Sequence, residues 1–291
     1  MKYIDVVKGK WNKNIYYVEN CIGQGSVGYV YKVVNKRGEK FALKSSEDLI
    51  SLTKEYKMLN KFSYISAIPK AYELDDGYIQ GKNIHFIIME YIEGISLKKY
   101  LLNNISIKKT LSIILIITEI FQQIYDSGYI YWDIKLENIL VDRINMSIRV
   151  IDFGGVSKIG QSIKEYTPTY NIHCWRDKPY YDDKSLIFSI NMILISLLYN
   201  KEFNPLTNSI QDIIYKIKTS DFNDGIKKLL INGLIGDYNI EKYKYTVKKI
   251  IQKNMFSKSK YCSNWIDALY WGSIGMFIFF IIFTVKMYIF K

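Results

Sequence analysis

Four short stretches of the chain gather the residue types that phosphate and metal chemistry needs. Residues 22–34 read IGQGSVGYVYKVV, with Gly23, Gly25 and Gly28 in GxGxxG spacing. A dinucleotide-binding turn would open a helix from such glycines and place an acid about 20 residues on. Here a β-type run, YVYKVV, follows instead, and no Gly-Lys-Ser/Thr is present to make a Walker loop. Glycines at a hairpin tip let backbone approach phosphate with no Cβ in the way. Next, Phe41-Ala42-Leu43-Lys44 ends an apolar strand on a lysine. A half-buried ammonium there requires an anion. Glu55 follows 11 residues later on a predicted helix. Residues 131–140, YWDIKLENIL, hold Asp133, Lys135 and Asn138, and residues 151–155, IDFGG, hold Asp152, Phe153 and Gly154.

These groups need elements to hold them. Residues 15–43 alternate, are rich in Tyr, Val and Ile, and are broken by glycines, which predicts strands and tight turns. Leu49, Leu52, Tyr56, Leu59 and Phe62 recur at three and four, predicting an amphipathic helix over Ser45–Phe62. Ile84–Met89 and Ile148–Ile151 predict short strands. Residues 106–127 predict a long helix stopped by Gly128. Within it, Leu111–Ile117 is too short to cross a membrane and predicts a helix buried on most faces. An apolar helix over 184–199 and further helices over 205–255 complete an α+β chain, strands first and helices afterward.

The ordered set of glycine-rich loop, strand lysine, helix glutamate, catalytic-loop Asp with Asn five residues on, and DFG resembles the eukaryotic-like (Hanks-type) protein kinases. The likeness is distinct over about residues 15–200 and weaker to about 255. It implies a bilobal fold, N-lobe 15–91 and C-lobe 92–255, after an N-terminal segment 1–14. It also implies a Ser/Thr protein kinase using ATP and Mg²⁺ on protein hydroxyls. By that resemblance Lys44 holds the α- and β-phosphates and Glu55 orients it. Asp152 and Asn138 hold metal, Asp133 takes the substrate hydroxyl proton, and Lys135 neutralises the γ-phosphoryl charge. Ile22, the three glycines, Val30, Ala42 and Leu140 enclose the nucleotide. Met89, Glu90 and Ile92 border the adenine, and Ser96 approaches the ribose. Thr167 resembles the threonine that bridges the catalytic Asp and Lys.

The pattern is broken in places. Tyr131-Trp132-Asp133 stands for HRD, Leu136 replaces a proline, and no clear APE triplet appears near Asp177, Lys178 and Pro179. Tyr131 can still pack on Phe153. Trp132 cannot pair with a phosphorylated activation loop, so phosphorylation at Ser162, Thr167 or Thr169 is not expected to be required. Asp182 and Asp183 both remain candidates to anchor the 184–199 helix. The same departures motivate the alternative of a pseudokinase scaffold or ATP-sensing module.

The 291 residues carry 40 basic and 28 acidic side chains, a net charge of +12, and 49% hydrophobic residues, which excludes a disordered or collagen-like chain. Three scattered cysteines and two histidines exclude a disulfide framework and a zinc site. Residues 242–266 hold seven lysines and no acid. Residues 268–285, ALYWGSIGMFIFFIIFTV, are uncharged and long enough to span a bilayer, predicting a transmembrane helix over 268–290 behind a basic segment, 256–267. Met1–Lys10 lacks the apolar stretch of a signal peptide. The positive-inside rule then predicts a single-pass protein of the cell membrane, its kinase domain cytoplasmic and its C-terminus outside. The Lys-rich stretch 242–260 is expected to lie on anionic lipid, with DNA as the other polyanion it would suit. Abundant Lys, Ile, Asn and Tyr, with one C-terminal membrane helix, resemble short bacterial members of the family.

Overall fold

The computed structural model describes residues 5–25, 28–79, 81–101, 105–161, 166–176 and 182–253. The predicted membrane span and basic juxtamembrane segment lie outside these residues, as do Ser162 and residues 177–181. Among the described residues no helix is long and apolar enough to cross a membrane.

The first compact unit runs to Lys244. It begins with a six-stranded antiparallel sheet built from β1 (Asp5–Lys8), β2 (Ile15–Gln24), β3 (Tyr29–Asn35), β4 (Lys40–Ser46), β5 (Ala71–Ile79) and β6 (Lys82–Glu90). The strand order is β1-β2-β3-β4-β6-β5. Val7, Val18, Val33, Leu43, Phe86 and Ile88 fill its inner face with no measurable exposure. Alternation along each strand aims these residues one way and leaves polar ones outward.

Two strands correct the sequence reading. Within the N-terminal segment, Val6 and Val7 pair with Tyr17 and Tyr16, and Val7 is buried in the core. Four residues gave too short a period to register as a strand. β5 was not expected either: its sequence, AYELDDGYI, interrupts the apolar alternation with acids that the fold uses. Asp75, 3% exposed, accepts the backbone N–H groups of Trp11 and Asn12 at 2.9 and 2.8 Å.

Helix α1 (Leu49–Lys61) starts later than predicted. Ser45 and Ser46 belong to β4, and Asp48 caps the helix by accepting from Ile50 N and Ser51 N. After β7 (Gly94–Ser96) and the single turn α2 (Leu97–Tyr100), helix α3 (Ile107–Asp126) occupies the predicted span. Gly128 beyond its end adopts φ +80°, a conformation glycine takes without strain. Leu111, Ile113, Ile114 and Ile117 are buried in α3, as expected. Short strands β8 (Tyr129–Tyr131), β9 (Ile139–Asp142), β10 (Ile148–Val150) and β11 (Val156–Lys158) then carry the chemistry-bearing loops.

Helix α4 (Asp183–Tyr199) is the axis of the helical part, with every residue from Ser185 to Leu197 buried. A helix apolar on all sides must be covered on all sides. α3 packs on it, as does α6 (Asp224–Ile235), while α5 (Ile210–Thr219) packs on α6. Asp182 takes the N-cap position, with its carboxylate accepting from Ser185 N at 2.8 Å, and Asp183 opens the first turn. Residues 240–244 end this unit in helical conformation. The described residues of the second unit, 245–253, are helical.

Candidate active site

The sheet and the helical part enclose a cavity of about 580 Å³, within the range of small-molecule sites. Every residue the sequence nominated for nucleotide or metal, Ser96 excepted, lines it, from Ile22 and the three glycines at one rim to Asn138 and Asp152 at the floor. Thr167 joins from outside the lining, through Asp133, and Ser96 does not line the cavity.

Three ionisable groups that lie far apart in sequence meet at one end. β4 holds Lys44 in register with Val30 and Ile87, and its Nζ points to the floor. That Nζ lies 2.7 Å from Glu55 Oε2 on α1 and 2.8 Å from Asp152 Oδ1. Burial alone would pull the Lys44 ammonium down in pKa, but the charges of Glu55 and Asp152 and their hydrogen bonds outweigh it and hold the pKa above the usual lysine value. Burial raises Glu55, with the Lys44 charge opposing. Burial also works to raise Asp152, but there the Lys44 charge and hydrogen bond win and its pKa is lowered. Asp152 itself sits at φ +65°, ψ +80°, a left-handed conformation that a non-glycine residue keeps only where its surroundings enforce it.

Tyr131 supplies that enforcement. Its ring meets Phe153 edge-on at 5.5 Å, the contact the sequence led us to expect. Its hydroxyl does more than expected: it lies 2.7 Å from Ile151 O and 2.9 Å from Asp152 O, holding the backbone on both sides of the strained bond. Asn138 Nδ2 reaches the same hydroxyl at 3.3 Å and donates to Asp133 O and Oδ2 at 3.1 and 3.2 Å. With its amide nitrogen directed inward, the Asn138 oxygen is the atom left for a ligand. Asp133 is 6% exposed and accepts from Thr167 Oγ1 at 2.8 Å and from Lys135 Nζ.

At the apolar end, Val30 and Ala42 from the sheet face Leu140 from β9, and Met89, Glu90 and Ile92 edge the wall between them. Gly28 closes down on β4: a Cβ there would run into the Ser45 carbonyl oxygen, so no other residue type fits without moving the loop.

The departures at positions 132 and 136 also find places. Trp132 donates its indole N–H to Ser157 Oγ at 2.8 Å, and its backbone N–H to Gly155 O at 3.1 Å. Leu136 is fully buried. Lys54, which sequence reasoning missed, lines the cavity and donates to Gly154 O at 3.1 Å. Its place one residue before Glu55 on an amphipathic helix was the available signal.

The residues present suit a nucleotide with a hard cation. Among the described residues no three His, Cys, Asp or Glu cluster as a self-sufficient metal cage. The Asp152 carboxylate and the Asn138 amide oxygen match a Mg²⁺ that keeps waters and takes its remaining ligands from phosphate.

Residues 16–263 match the family model of the protein kinase domain. The chain is 33% identical over 245 residues to the serine/threonine-protein kinase YabT of Bacillus subtilis, covering 80% of this chain and 70% of that protein. It is 28% identical over 230 residues to a probable serine/threonine-protein kinase of Plasmodium falciparum, covering 70% of this chain and 41% of the relative. A probable serine/threonine-protein kinase of Clostridium perfringens matches at 25% over 249 residues, with 78% of this chain and 35% of the relative covered. The geometry of the cavity and these likenesses agree, and the chain belongs to the protein kinase family, as a serine/threonine protein kinase.

Proposed function

We propose that the cavity binds Mg²⁺-ATP and transfers its γ-phosphoryl group to protein Ser and Thr hydroxyls. The observation that carries this is the meeting of Lys44, Glu55 and Asp152 at 2.7 and 2.8 Å across the two lobes. Bound Mg²⁺ would supply positive charge to offset that of the phosphates, and Asp152 and Asn138 are the residues that would hold it. Lys44 gives its ammonium to the α- and β-phosphates, and Glu55 keeps that ammonium aimed. Asp133 accepts the proton of the incoming hydroxyl at its carboxylate. Thr167 and Lys135 fix the direction of that carboxylate, and Lys135 offsets charge on the transferring group. Mg²⁺-dependent phosphorylation of the chain itself and of a generic protein substrate tests this. Wild type transfers phosphate, and Asp133→Asn and Lys44→Ala do not. Equal transfer by wild type and Asp133→Asn would refute the assignment.

Activity without loop phosphorylation belongs to the same reading. Trp132 meets Ser157 by a neutral hydrogen bond at 2.8 Å where a charged arginine would await a phosphate. Phosphatase-treated protein therefore keeps its activity. Membrane attachment through 268–290, with the kinase domain cytoplasmic, rests on the uncharged apolar run of 268–285. The lysines of 242–260 add attraction to anionic lipid of about 1 kcal/mol each near the surface. Cell fractionation of the full chain and of a form ending at 266 tests the anchor. Binding to anionic vesicles against duplex DNA across a salt series tests the basic segment.

A further inference from the structure

Behind the adenine end of the cavity a buried guanidinium gathers an ion cluster that takes no part in the phosphoryl chemistry described above. Arg149, in the middle of β10, is 6% exposed. Its Nη1 and Nη2 donate to Glu90 Oε1 and Oε2 at 2.9 and 2.6 Å, a two-pronged contact. Its Nε donates to Ala67 O at 3.3 Å, and Asp142 Oδ2 on β9 lies 3.6 Å from Nη1. Ala67, in the loop between α1 and β5, also accepts from Val150 N at 2.9 Å. Glu90 N donates to Lys70 O at 2.8 Å, and Lys70 N reaches Glu90 Oε2 at 3.2 Å. Burial would raise the Glu90 carboxyl, but hydrogen bonds from Arg149 and Lys70 outweigh it and hold it below the usual range.

Glu90 is the last residue of β6 and lines the cavity one position after Met89. The chain passes from sheet to helical part directly after it. A guanidinium is planar and cannot shed its charge, so once buried it admits one partner geometry. Leaving such a group unpaired is far more destabilising than never burying it. The connector is thereby fixed from behind by a side chain of the opposite lobe.

We propose that Arg149 is a positioning residue for nucleotide selection: its fork immobilises the Glu90 connector, so that the backbone groups of residues 90 and 92 meet the adenine edge in one register. The inference rests on the assignment of this end of the cavity to adenine. It predicts an effect on affinity for the base, with little effect on the phosphoryl step, because Arg149 touches neither the lysine nor the carboxylates there.

The test uses the full chain as wild type, Arg149→Lys, and the double variant Arg149→Met/Glu90→Gln. KM for ATP, kcat, and the inhibition constant of adenosine are measured beside a thermal melt. Lysine keeps the charge and loses the fork. For Arg149→Lys we expect KM for ATP and the adenosine constant to rise together by about 3- to 10-fold, with kcat within about twofold. The double variant removes both charges and recovers the melting temperature, while its KM stays raised. Unchanged KM and adenosine constants in variants that melt like wild type would overturn the inference. So would a fall in kcat with KM constant, or a KM that recovers along with stability in the double variant. A wild type that phosphorylates with ATP yet ignores adenosine would overturn the adenine assignment and this inference with it.

Discussion

Replacing Lys44 by methionine tests the ionic triangle at the centre of the site. Methionine preserves most of the stem's volume and removes the charge. Glu55 Oε2 and Asp152 Oδ1 now share one ammonium at 2.7 and 2.8 Å, so they are at most about 5.5 Å apart, the sum of those contacts. At an effective dielectric constant near 20, two like charges at that separation repel by about 3 kcal/mol. The Asp152 side chain is 38% exposed, so solvent screening lowers the repulsion, while an approach closer than about 5.5 Å raises it, and about 3 kcal/mol is the working figure. For a domain of this size each kcal/mol moves the melting temperature by about 2–4 °C, giving a drop on the order of 6–12 °C. Protonation of one carboxylate relieves the repulsion, and that raises its folded-state pKa above the unfolded value. The variant's stability is therefore retained at low pH and lost as pH rises through the raised pKa. Thermal melts from pH 5 to 8, with phosphotransfer measured in parallel, read this out. Phosphotransfer falls by about 10²- to 10³-fold, as when a preorganised charge is removed from a developing anion. Adding Glu55→Gln to Lys44→Met restores the melting temperature and leaves activity lost. A double variant no more stable than the single one would show that the two carboxylates do not meet through Lys44, and would refute the reasoning.

Three further outcomes follow from named contacts. Thr167→Val removes the 2.8 Å hydrogen bond to Asp133 and is expected to lower kcat about tenfold with KM for ATP unchanged, while Thr167→Ser retains most activity; steady-state kinetics checks both. Tyr131→Phe keeps the ring against Phe153 but loses the hydroxyl beside Ile151 O and Asp152 O, destabilising the domain by about 1–3 kcal/mol as the part-buried carbonyls lose the one donor they share; a denaturant melt measures it. Glu90 and Asp142 both have folded-state pKa values lowered from ordinary references of 4.5 and 3.8. The unfolded chain then binds the extra protons first, so their contribution is present above about pH 4.5 and is lost as pH falls through the lowered values. The acid limb of the stability curve is accordingly shallower in Glu90→Gln.

The spacing of Lys44, Glu55, Asp133, Asn138 and Asp152 was legible because each lies in a short stretch whose residue types admit few other uses. The helices at 106–127 and 184–199 were legible because an apolar period of 3.6 or an unbroken apolar run leaves no other way to satisfy backbone and side chains together. What stayed hidden depends on partners distant in sequence. β1 is too short to announce itself and exists because β2 offers it an edge. β5 carries acids that read as a loop until Trp11 and Asn12 arrive to bond Asp75. Arg149 is a charge inside the apolar run Ile148–Ile151, an anomaly visible in the sequence whose resolution, Glu90 59 residues away, is not.

Sequence by itself determined which chemistry this protein is equipped for, since a lysine, a glutamate, an aspartate, an asparagine and a second aspartate in that order commit it to phosphate and metal. The tertiary structure alone decided how those charges are paired, that Tyr131 bonds the backbone around the left-handed Asp152, and that Trp132 rests on Ser157. Local pattern encodes what a segment buries, whereas the energy of a buried charge or donor is set by the group opposite it, and only the fold chooses that group.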